Sequence, residues 1–558
     1  AGHRGVDVKR LLFFALPFVA VAACQAGGAS KGEPHAAAAG SGNSGGAPAS
    51  AGASASPGAP TVSCTTAQLG KPVLRLLNKD QFARTVSDIF PQVAGAWTST
   101  LPADPVSSYG FDNDSGTVVG PQLAQALLDT ATAVATAVTG SALAAILPCS
   151  SAAADRTCAD QFVTQYGRRL FRRTLTQAEH DRYLSFFDTA LAKSDFKTAL
   201  KWLTVGLIQS PNAVYRSEIG SVGGDGSRQL SPTELASELS YTFGGSTPTD
   251  ALLSQAEGGG ALDVVALAKS LLATDAGKAT LQHFFESYLD YPRVASIERS
   301  GITQFDTLRG DMVQETRAFV DQVVQNHGGL KDLLTAGTSN PSSKLAAYYG
   351  FPAPAADYAS VARNAGQGIG VLAQGSVLAG RAQPNGSSPT QRGLLVFSRL
   401  LCETKPTPPP NVSTISNPDP GKVTTRQRYE TLHAPNPVCN SCHKLFDPIG
   451  FGFEHFDEGG RFRADDGGLP INTVSHVPNP DGSSLFEFQD QETLARGLAD
   501  QPVVYQCFAA YLATFAFGSG ESCLGASHVA DLKAGTLGIA DFYAALASEP
   551  HFTRRAAQ

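Results

Sequence analysis

The sequence predicts a mainly α-helical protein that is built from several domains. Hydrophobic residues make up 42% of the 558 residues and charged residues 16%, a balance typical of folded globular proteins. A chain of this length is too long for a single hydrophobic core, so several domains are expected. Apolar residues repeat every three or four positions in many segments, whereas alternating strand patterns are scarce.

The first residues have the pattern of a bacterial export signal. Three basic residues, Arg4, Lys9 and Arg10, precede the short apolar run Leu11–Ala23. That run ends in small residues and is too short for an ordinary membrane span. We therefore expect residues 1–23 to be a signal peptide.

The stretch Val21-Ala22-Ala23-Cys24 resembles the lipobox of bacterial lipoproteins. The resemblance implies cleavage before Cys24, lipid attachment to its sulfur, and a membrane-anchored place in the cell envelope, at the outer membrane. An ordinary signal peptide with a chance cysteine is the alternative. Residues 26–60 are almost entirely Gly, Ala, Ser and Pro, so residues 24–63 are expected to form a flexible tether.

Helical periodicity recurs along the rest of the chain. Ser231 is predicted to cap a helix, because Pro232 suits the first helical position and Glu234 completes a capping box. Gly518 is predicted to end the last long helix. The predicted helices cover residues 74–90, 122–139, 159–173, 310–324 and 508–515, and residues 471–477 and 484–488 are expected to form a small hairpin.

The motif Cys439-Asn440-Ser441-Cys442-His443 has the spacing for covalent attachment of one c-type haem. Each thiol can form a thioether to the porphyrin, and His443 is then placed as the proximal iron ligand. Two alternatives remain open. One is a structural disulfide between Cys439 and Cys442, and the other is half of a zinc site.

The ligand on the other side of the iron has several candidates. His433 is the preferred distal candidate, His455 is the second, and an open position is also compatible with the sequence. No methionine follows the motif, so a methionine ligand would have to be Met312. Met312 lies on an apolar helix face, where packing in the core is the favoured interpretation.

Arginine pairs flank the motif and suit the two haem propionates, which are carboxylates. Arg426 and Arg428 precede it, whereas Arg461 and Arg463 follow it. Solvated surface charge is the alternative interpretation. The stretch Asp447–Gly450 is expected to form a tight turn against one haem face.

Cysteine usage fits an oxidising compartment. The chain has nine cysteines, and six remain once the lipobox cysteine and the two motif cysteines are set aside. Free buried thiols are the alternative to disulfides. The three expected pairs are Cys149 with Cys158, Cys507 with Cys523 and, by elimination, Cys64 with Cys402.

Several motifs together resemble one family of large exported proteins of planctomycetes and myxobacteria. Those proteins consist of a fixed series of domains of unknown function with a planctomycete-type cytochrome motif near the end. The motifs are Leu74-Arg75-Leu76-Leu77-Asn78-Lys79, Tyr166-Gly167-Arg168-Arg169-Leu170-Phe171-Arg172-Arg173, Leu235-Ala236-x-x-Leu239-Ser240-Tyr241 with Met312-x-x-Glu315-Thr316, Ser388-Pro389-x-x-Arg392-Gly393, and Arg426-x-Arg428-x4-His433-x5-Cys439-x-x-Cys442-His443-x3-Asp447-Pro448-x-Gly450.

The resemblance implies an envelope location and a haem but no particular substrate. Family members usually have Asn at the position of His455, which keeps this histidine of interest. The expected organisation after the tether is three helical domains at residues 64–148, 149–225 and 226–365, a haem-bearing domain with a Pro-rich strap at 366–484, and a helical domain at 485–558.

Two classes of function are compatible with these patterns. The first is electron transfer or a haem-dependent oxidoreductase in the envelope, with an unknown redox or protein partner. The second is a surface binding or scaffold lipoprotein, for a polysaccharide or a protein, in which haem or a disulfide is structural. A net charge of −7 gives no indication of a nucleic-acid partner, and no nucleophile elbow, phosphate loop or dinucleotide motif is present.

Overall fold

Helices dominate the structure, as the sequence predicts, and the strands are short. The chain belongs mainly to a compact unit that spans Ser56–Gln558. Within the described residues, no helix has both the length and the apolar character needed to cross a membrane. The computed structural model describes residues 69–149, 155–299, 301–407, 423–432, 434–520 and 526–557, so the predicted signal peptide and tether lie outside the described residues.

A strand precedes the first helix where the sequence predicted continuous helix. β1 (Val73–Leu76) pairs antiparallel with β2 (Tyr215–Glu218), so the prediction is wrong at its start. Helix α1 (Lys79–Ile89) begins after Asn78, whose side chain accepts a hydrogen bond from the backbone amide of Gln81. The Gln81 side chain accepts one from the Asn78 amide in return. This capping box fixes the start of the helix, and the preceding residues pair with a strand distant in sequence.

The helices that follow, up to residue 214, pack around a hydrophobic core of their own. The helices predicted at residues 122–139 and 159–173 are confirmed, although a π-helical turn at residues 163–167 interrupts the second. The elements are α2 (Pro121–Val138), α3 (Leu143–Ile146), α4 (Arg156–Phe162), α5 (Arg168–Phe171), α6 (Gln177–Leu191), α7 (Phe196–Ile208), α8 (Pro211–Val214), β3 (Ser221–Val222) and β4 (Arg228–Gln229).

The middle of the chain contributes to a second, larger core. Ser231 caps α9, with the predicted Pro232 at the first position and Glu234 in the capping box. Met312 is fully buried on α13, which confirms the favoured interpretation that it packs in the core. The elements are α9 (Pro232–Gly244), α10 (Asp250–Glu257), α11 (Val264–Leu272), α12 (Asp275–Leu289), α13 (Phe305–Gln325), α14 (Leu330–Thr335), β5 (Thr338–Ser339), α15 (Ser343–Tyr349), β6 (Val361–Ala362), α16 (Gly375–Gly380) and α17 (Pro389–Leu395).

The last part of the chain contains the predicted motif and the predicted hairpin. The hairpin is confirmed, although its first strand starts later than expected, and Gly518 ends α22 in the left-handed conformation with φ +64°. The elements are α18 (Thr425–Leu432), α19 (Pro437–His443), α20 (Asp447–Phe451), β7 (Asp465–Asp466), β8 (Leu469–Pro470), β9 (Ser475–Pro478), β10 (Ser484–Phe488), α21 (Gln491–Asp500), α22 (Pro502–Phe517), α23 (Ala526–Ala534), α24 (Ile539–Ala545), α25 (Pro550–Thr553) and β11 (Arg554–Arg555).

One hydrophobic core extends from the middle of the chain to its C-terminal helices. The rings of Phe284 on α12 and of Phe508 and Phe515 on α22 meet there, with centroid distances of 5.7 and 5.6 Å from Phe284. Phe446 and Ile449 from the motif region are buried in the same core. The motif is therefore supported by helices from both sides in sequence.

Five buried charged side chains join the beginning, middle and end of the described chain. Arg555 on β11 donates to Glu218 on β2 at 2.8 Å, and Arg216 lies 3.2 Å from Glu238 on α9. Arg75 on β1 lies 3.8 Å from Glu218. Burial raises the pKa of Glu238 to about 7, with the charge of Glu218 acting in the same direction. Because an isolated buried charge is very unfavourable, these partners hold the three regions together.

The first disulfide is the one that the sequence predicts. Cys149 and Cys158 are bonded, with their Cα atoms 5.5 Å apart. Cys158 lies in the first turn of α4, where the side chain of Asp155 caps the helix. The bond therefore ties the segment that follows α3 to the first turn of α4.

The second disulfide corrects the sequence-based pairing. Cys402 is bonded to Cys507 on α22, with a Cα–Cα distance of 5.4 Å across 105 residues of sequence. The predicted pairs Cys507 with Cys523 and Cys64 with Cys402 are therefore wrong. Helix α22 packs against the residues that follow α17, and this long-range contact outweighs proximity in sequence. Cys64 and Cys523 themselves lie outside the described residues.

A partly buried histidine links α12 to the loop before α2. The Nε2 atom of His283 lies 3.0 Å from the Asp112 carboxylate, and Nδ1 lies 3.8 Å from Glu286. Burial lowers the pKa of His283, but the hydrogen bonds and charges of Asp112 and Glu286 outweigh burial and raise this pKa to about 10. His283 is therefore a cation in the folded protein at neutral pH.

We expect the protein to lose stability as the pH rises from 6.5 towards 10. The folded-state pKa of His283 lies above the ordinary value of 6.5, so its stabilisation is complete below pH 6.5 and disappears as the pH rises through about 10. For one proton the free energy of unfolding falls by at most about 1.4 kcal/mol per pH unit. Denaturant unfolding at several pH values measures this slope, and an unchanged slope in His283→Gln would contradict the assignment.

Candidate functional site

The predicted motif forms a short exposed helix. Asn436 caps α19 by accepting hydrogen bonds from the backbone amides of Val438 and Cys439, and Pro437 occupies the first helical position. Positions three apart share one face of a helix, so Cys439 and Cys442 lie on the same side. Both are free thiols and both are partly exposed. The alternative in which these two cysteines form a disulfide is not the state of this structure.

His443, at the end of α19, is held by a carboxylate. Its Nδ1 atom lies 3.0 Å from Oδ2 and 3.2 Å from Oδ1 of Asp447. The side chain of Asp447 is 7% exposed and that of His443 is 25% exposed. Since a carboxylate accepts hydrogen bonds, this contact favours the imidazole tautomer that carries its proton on Nδ1. The ring of Phe446 packs edge-on against the imidazole, with a centroid distance of 5.2 Å.

Asp447 does not lie in the tight turn that the sequence predicted for residues 447–450. It is instead the first residue of the short helix α20. The prediction is wrong because the Asp-Pro pair starts a helix here: proline is well suited to the first helical turn. The four-residue spacing between His443 and Asp447 is the feature of the sequence that could have indicated their contact.

A third side chain reaches this pair from α17. The hydroxyl of Thr390 donates a hydrogen bond to Oδ1 of Asp447 at 2.6 Å and lies 3.4 Å from Nδ1 of His443. Thr390 follows Ser388, which caps α17, and Pro389, which occupies the first helical position. Sequence reasoning did not assign Thr390, because its partners are more than 50 residues away in sequence.

The two helices that carry Thr390 and Asp447 cross at two glycines. A Cβ atom at Gly393 on α17 would overlap the backbone carbonyl oxygen of Phe446, and one at Gly450 on α20 would overlap the carbonyl oxygen of Pro389. Both positions therefore require glycine for close approach of the backbones. This crossing fixes the distance from Thr390 to Asp447.

A buried arginine on α17 also stabilises the crossing of α17 and α20. Arg392 is 2% exposed and donates to the backbone carbonyls of Phe453, Phe456 and Asp457, which follow α20. Burial lowers its pKa to about 10, so it remains protonated at neutral pH. Buried Glu454 accepts from the Ser387 hydroxyl at 2.9 Å, and burial raises the pKa of this carboxyl.

The arginines proposed for the propionates contact protein groups. Arg426 donates to the backbone carbonyls of Asn472 and Val474, and its guanidinium lies 4.7 Å from the ring centroid of Phe451. The role of Arg426 in binding propionates stays a prediction. These contacts show that it also fixes the loop before β9 against α20.

The other three flanking arginines also have contacts within the protein. Arg463 donates to Asp466 at 2.7 Å and to the buried Glu454 at 3.1 Å. Arg461 pairs with Asp457, whereas Arg428 donates to the Thr425 hydroxyl. A propionate role for these arginines likewise stays a prediction.

Of the two histidines predicted as distal haem ligands, the structure describes only His455. His433 lies outside the described residues, so its role stays a prediction. His455 donates from Nδ1 to the backbone carbonyl of Arg463 at 3.0 Å and stacks on the ring of Phe462 at a centroid distance of 5.3 Å. Within the described ranges, no group of three or more His, Cys, Asp or Glu side chains could hold a metal ion.

Four families match successive parts of the chain. Residues 75–140 match PSD3 (DUF1587), residues 158–218 match PSD5 (DUF1595), residues 230–351 match PSD4 (DUF1592) and residues 369–466 match PSCyt3 (DUF1588), each described as a protein of unknown function. The chain is a series of domains of unknown function. The prediction that the chain contains several domains of unknown function in series is therefore confirmed. The PSCyt3 match includes Thr390, the Cys439–His443 motif and Asp447. A comparison with curated proteins and with solved structures finds no match.

Substitution of Gly393 by Ala is expected to destabilise the protein by about 1–3 kcal/mol, the usual effect of overpacking. The new Cβ would overlap the carbonyl oxygen of Phe446, so the two helices would have to separate. Gly310→Ala on α13 is the matched control, because nothing lies within 4 Å of its added Cβ. The control is expected to be neutral or stabilising by up to about 1 kcal/mol. Denaturant unfolding measures both, and equal stabilities would contradict the close crossing.

Proposed function

We propose that this protein carries one covalently attached c-type haem and transfers electrons in the bacterial cell envelope. The observation that supports this most strongly is the contact between His443 and Asp447. A histidine that ligates a metal commonly donates its other ring N–H to a carboxylate, which fixes the tautomer and the ring orientation. Asp447 does this for Nδ1, so Nε2 is the nitrogen that would bind iron.

The residues on α19 fit a covalently attached haem. Cys439 and Cys442 are the two thiols that would form thioethers, and they lie on one face of the helix that ends at His443. A haem supplies a one-electron couple between its ferric and ferrous states. His433 is the proposed distal ligand, with His455 as the second candidate.

The exposure of the motif favours electron transfer over chemistry in an enclosed site. Val438 is 54% exposed, and Cys439 and Cys442 are both accessible to solvent in part. A haem edge anchored here would lie near the protein surface, within reach of a redox partner. A haem-dependent oxidoreductase is the variant of this proposal that an open sixth position on the iron would support.

We also propose that the protein is exported and anchored by lipid at Cys24. The two disulfides, Cys149 with Cys158 and Cys402 with Cys507, support an oxidising compartment. c-Type haem is attached outside the cytoplasm, so the two proposals support each other. The tether of residues 24–63 would then separate the folded body from the membrane.

When the protein is produced together with cytochrome c maturation machinery, we expect a haem-stained band on a denaturing gel. Covalent attachment survives denaturation, and the mass of the matured polypeptide should increase by one haem. Loss of both thiols in Cys439→Ala/Cys442→Ala is expected to abolish the band. Ser441→Ala on the same helix is the matched control and should keep it. A wild-type protein with no added mass would overturn the proposal.

The lipid anchor makes a separate prediction about location. Cys24→Ala is expected to move the protein from the membrane fraction to the soluble fraction, because the sulfur that would carry the lipid is gone. Cys439→Ala is the control, since it removes a different thiol and should leave the protein with the membrane. Fractionation followed by immunoblotting measures the distribution, and membrane association of Cys24→Ala would contradict the anchor.

A further inference from the structure

The buried carboxylate beside His443 carries an inference that rests on the proposed haem function and deepens it. We infer that Asp447 is a positioning residue that lowers the reduction potential of the iron bound by His443. Thr390 adjusts the strength of this effect through its own hydrogen bond to Asp447.

The contact has the geometry needed to act on the ligand. Nδ1 of His443 donates to Oδ2 of Asp447 at 3.0 Å. Donation of this proton towards an anionic oxygen makes the imidazole a stronger electron donor through Nε2. The side chain of Asp447 is 7% exposed, so water screens its negative charge only weakly.

The direction of the effect follows from charge. In the haem-loaded protein, reduction would add one electron to the iron and would break no bond of His443 or Asp447. The oxidised state carries one more positive charge, so a nearby negative charge stabilises it relative to the reduced state. Asp447 therefore lowers the reduction potential, and the Nδ1 proton stays on His443 in both states.

The surrounding structure keeps this carboxylate in place. The hydroxyl of Thr390 donates to Oδ1 of Asp447 at 2.6 Å. Gly393 and Gly450 allow the backbones of α17 and α20 to approach closely, and this approach brings Thr390 within hydrogen-bond distance of Asp447. The hydrogen bond from Thr390 withdraws negative charge from the carboxylate and so weakens its pull on the His443 proton.

A redox titration of the haem-loaded protein tests the inference, with dithionite as the electron donor and mediators present. Asp447→Asn keeps a hydrogen-bond acceptor but removes the charge. We expect the equilibrium constant for reduction to increase at least tenfold, which corresponds to about 59 mV for a one-electron couple. Asp481→Asn, in the exposed turn between β9 and β10, removes the same charge and should leave the potential unchanged.

Thr390→Val is the second variant and is expected to shift the potential in the opposite direction. Without the hydroxyl, more of the negative charge of Asp447 acts on His443, so the potential should fall below that of the wild type. If Asp447 and Thr390 had only structural roles, their substitutions would not shift the reduction potential in opposite directions. If Asp447→Asn is obtained without haem, the Thr390→Val titration decides the inference, and an unchanged potential in Thr390→Val then overturns it.

The outcomes separate this inference from the proposed function. A wild-type protein that takes up no haem would overturn both. A wild-type protein with haem and an unchanged potential in Asp447→Asn would overturn the inference and leave the proposed function standing. Where Asp447→Asn carries haem and shifts the potential as expected, an unchanged potential in Thr390→Val would remove only Thr390 from the inference.

Discussion

The crossing of α17 and α20 is the constraint on which the candidate site depends. Gly393 and Gly450 allow the two helix backbones to touch, and each is blocked by a carbonyl oxygen of the opposite segment. That contact brings Thr390 to Asp447, and Asp447 to the imidazole of His443. The orientation of a side chain on an exposed seven-residue helix is thereby set by buried backbone geometry. In this way, buried structure holds a motif that is itself accessible to solvent.

Long-range contacts in the rest of the molecule support the crossing of α17 and α20. The core that contains Phe446 also contains rings from α12 and α22, so helices from before and after the motif hold it. At the other end, Glu218 accepts from Arg555, which joins a strand near the middle of the sequence to the last one. Removing one partner from such a buried charge network leaves an uncompensated charge. This destabilises the folded protein far more than the loss of a surface ion pair does.

Much of the fold could be predicted from local sequence, and the parts that could not depend on distant partners. Periodicity predicted the helices, and the capping box at Ser231 was visible because its parts are three residues apart. β1 was missed because its partner strand lies about 140 residues away. At the site, the motif spacing identified Cys439, Cys442 and His443 as candidates. The role of Thr390 depends on tertiary contact, which a single sequence does not contain.

The disulfide between Cys402 and Cys507 has a consequence for how the chain matures. If the protein is exported from its N-terminus, Cys402 reaches the oxidising side before Cys439 and Cys442, and its native partner Cys507 arrives after both. An oxidase that joins thiols in order of arrival would trap Cys402 with a cysteine of the motif. In that case, early haem attachment to the motif thiols, as proposed, or later disulfide isomerisation would restore the native pairing. Under the proposed export and haem attachment, the placement of one crosslink would thus couple the order of secretion to the loading of the cofactor.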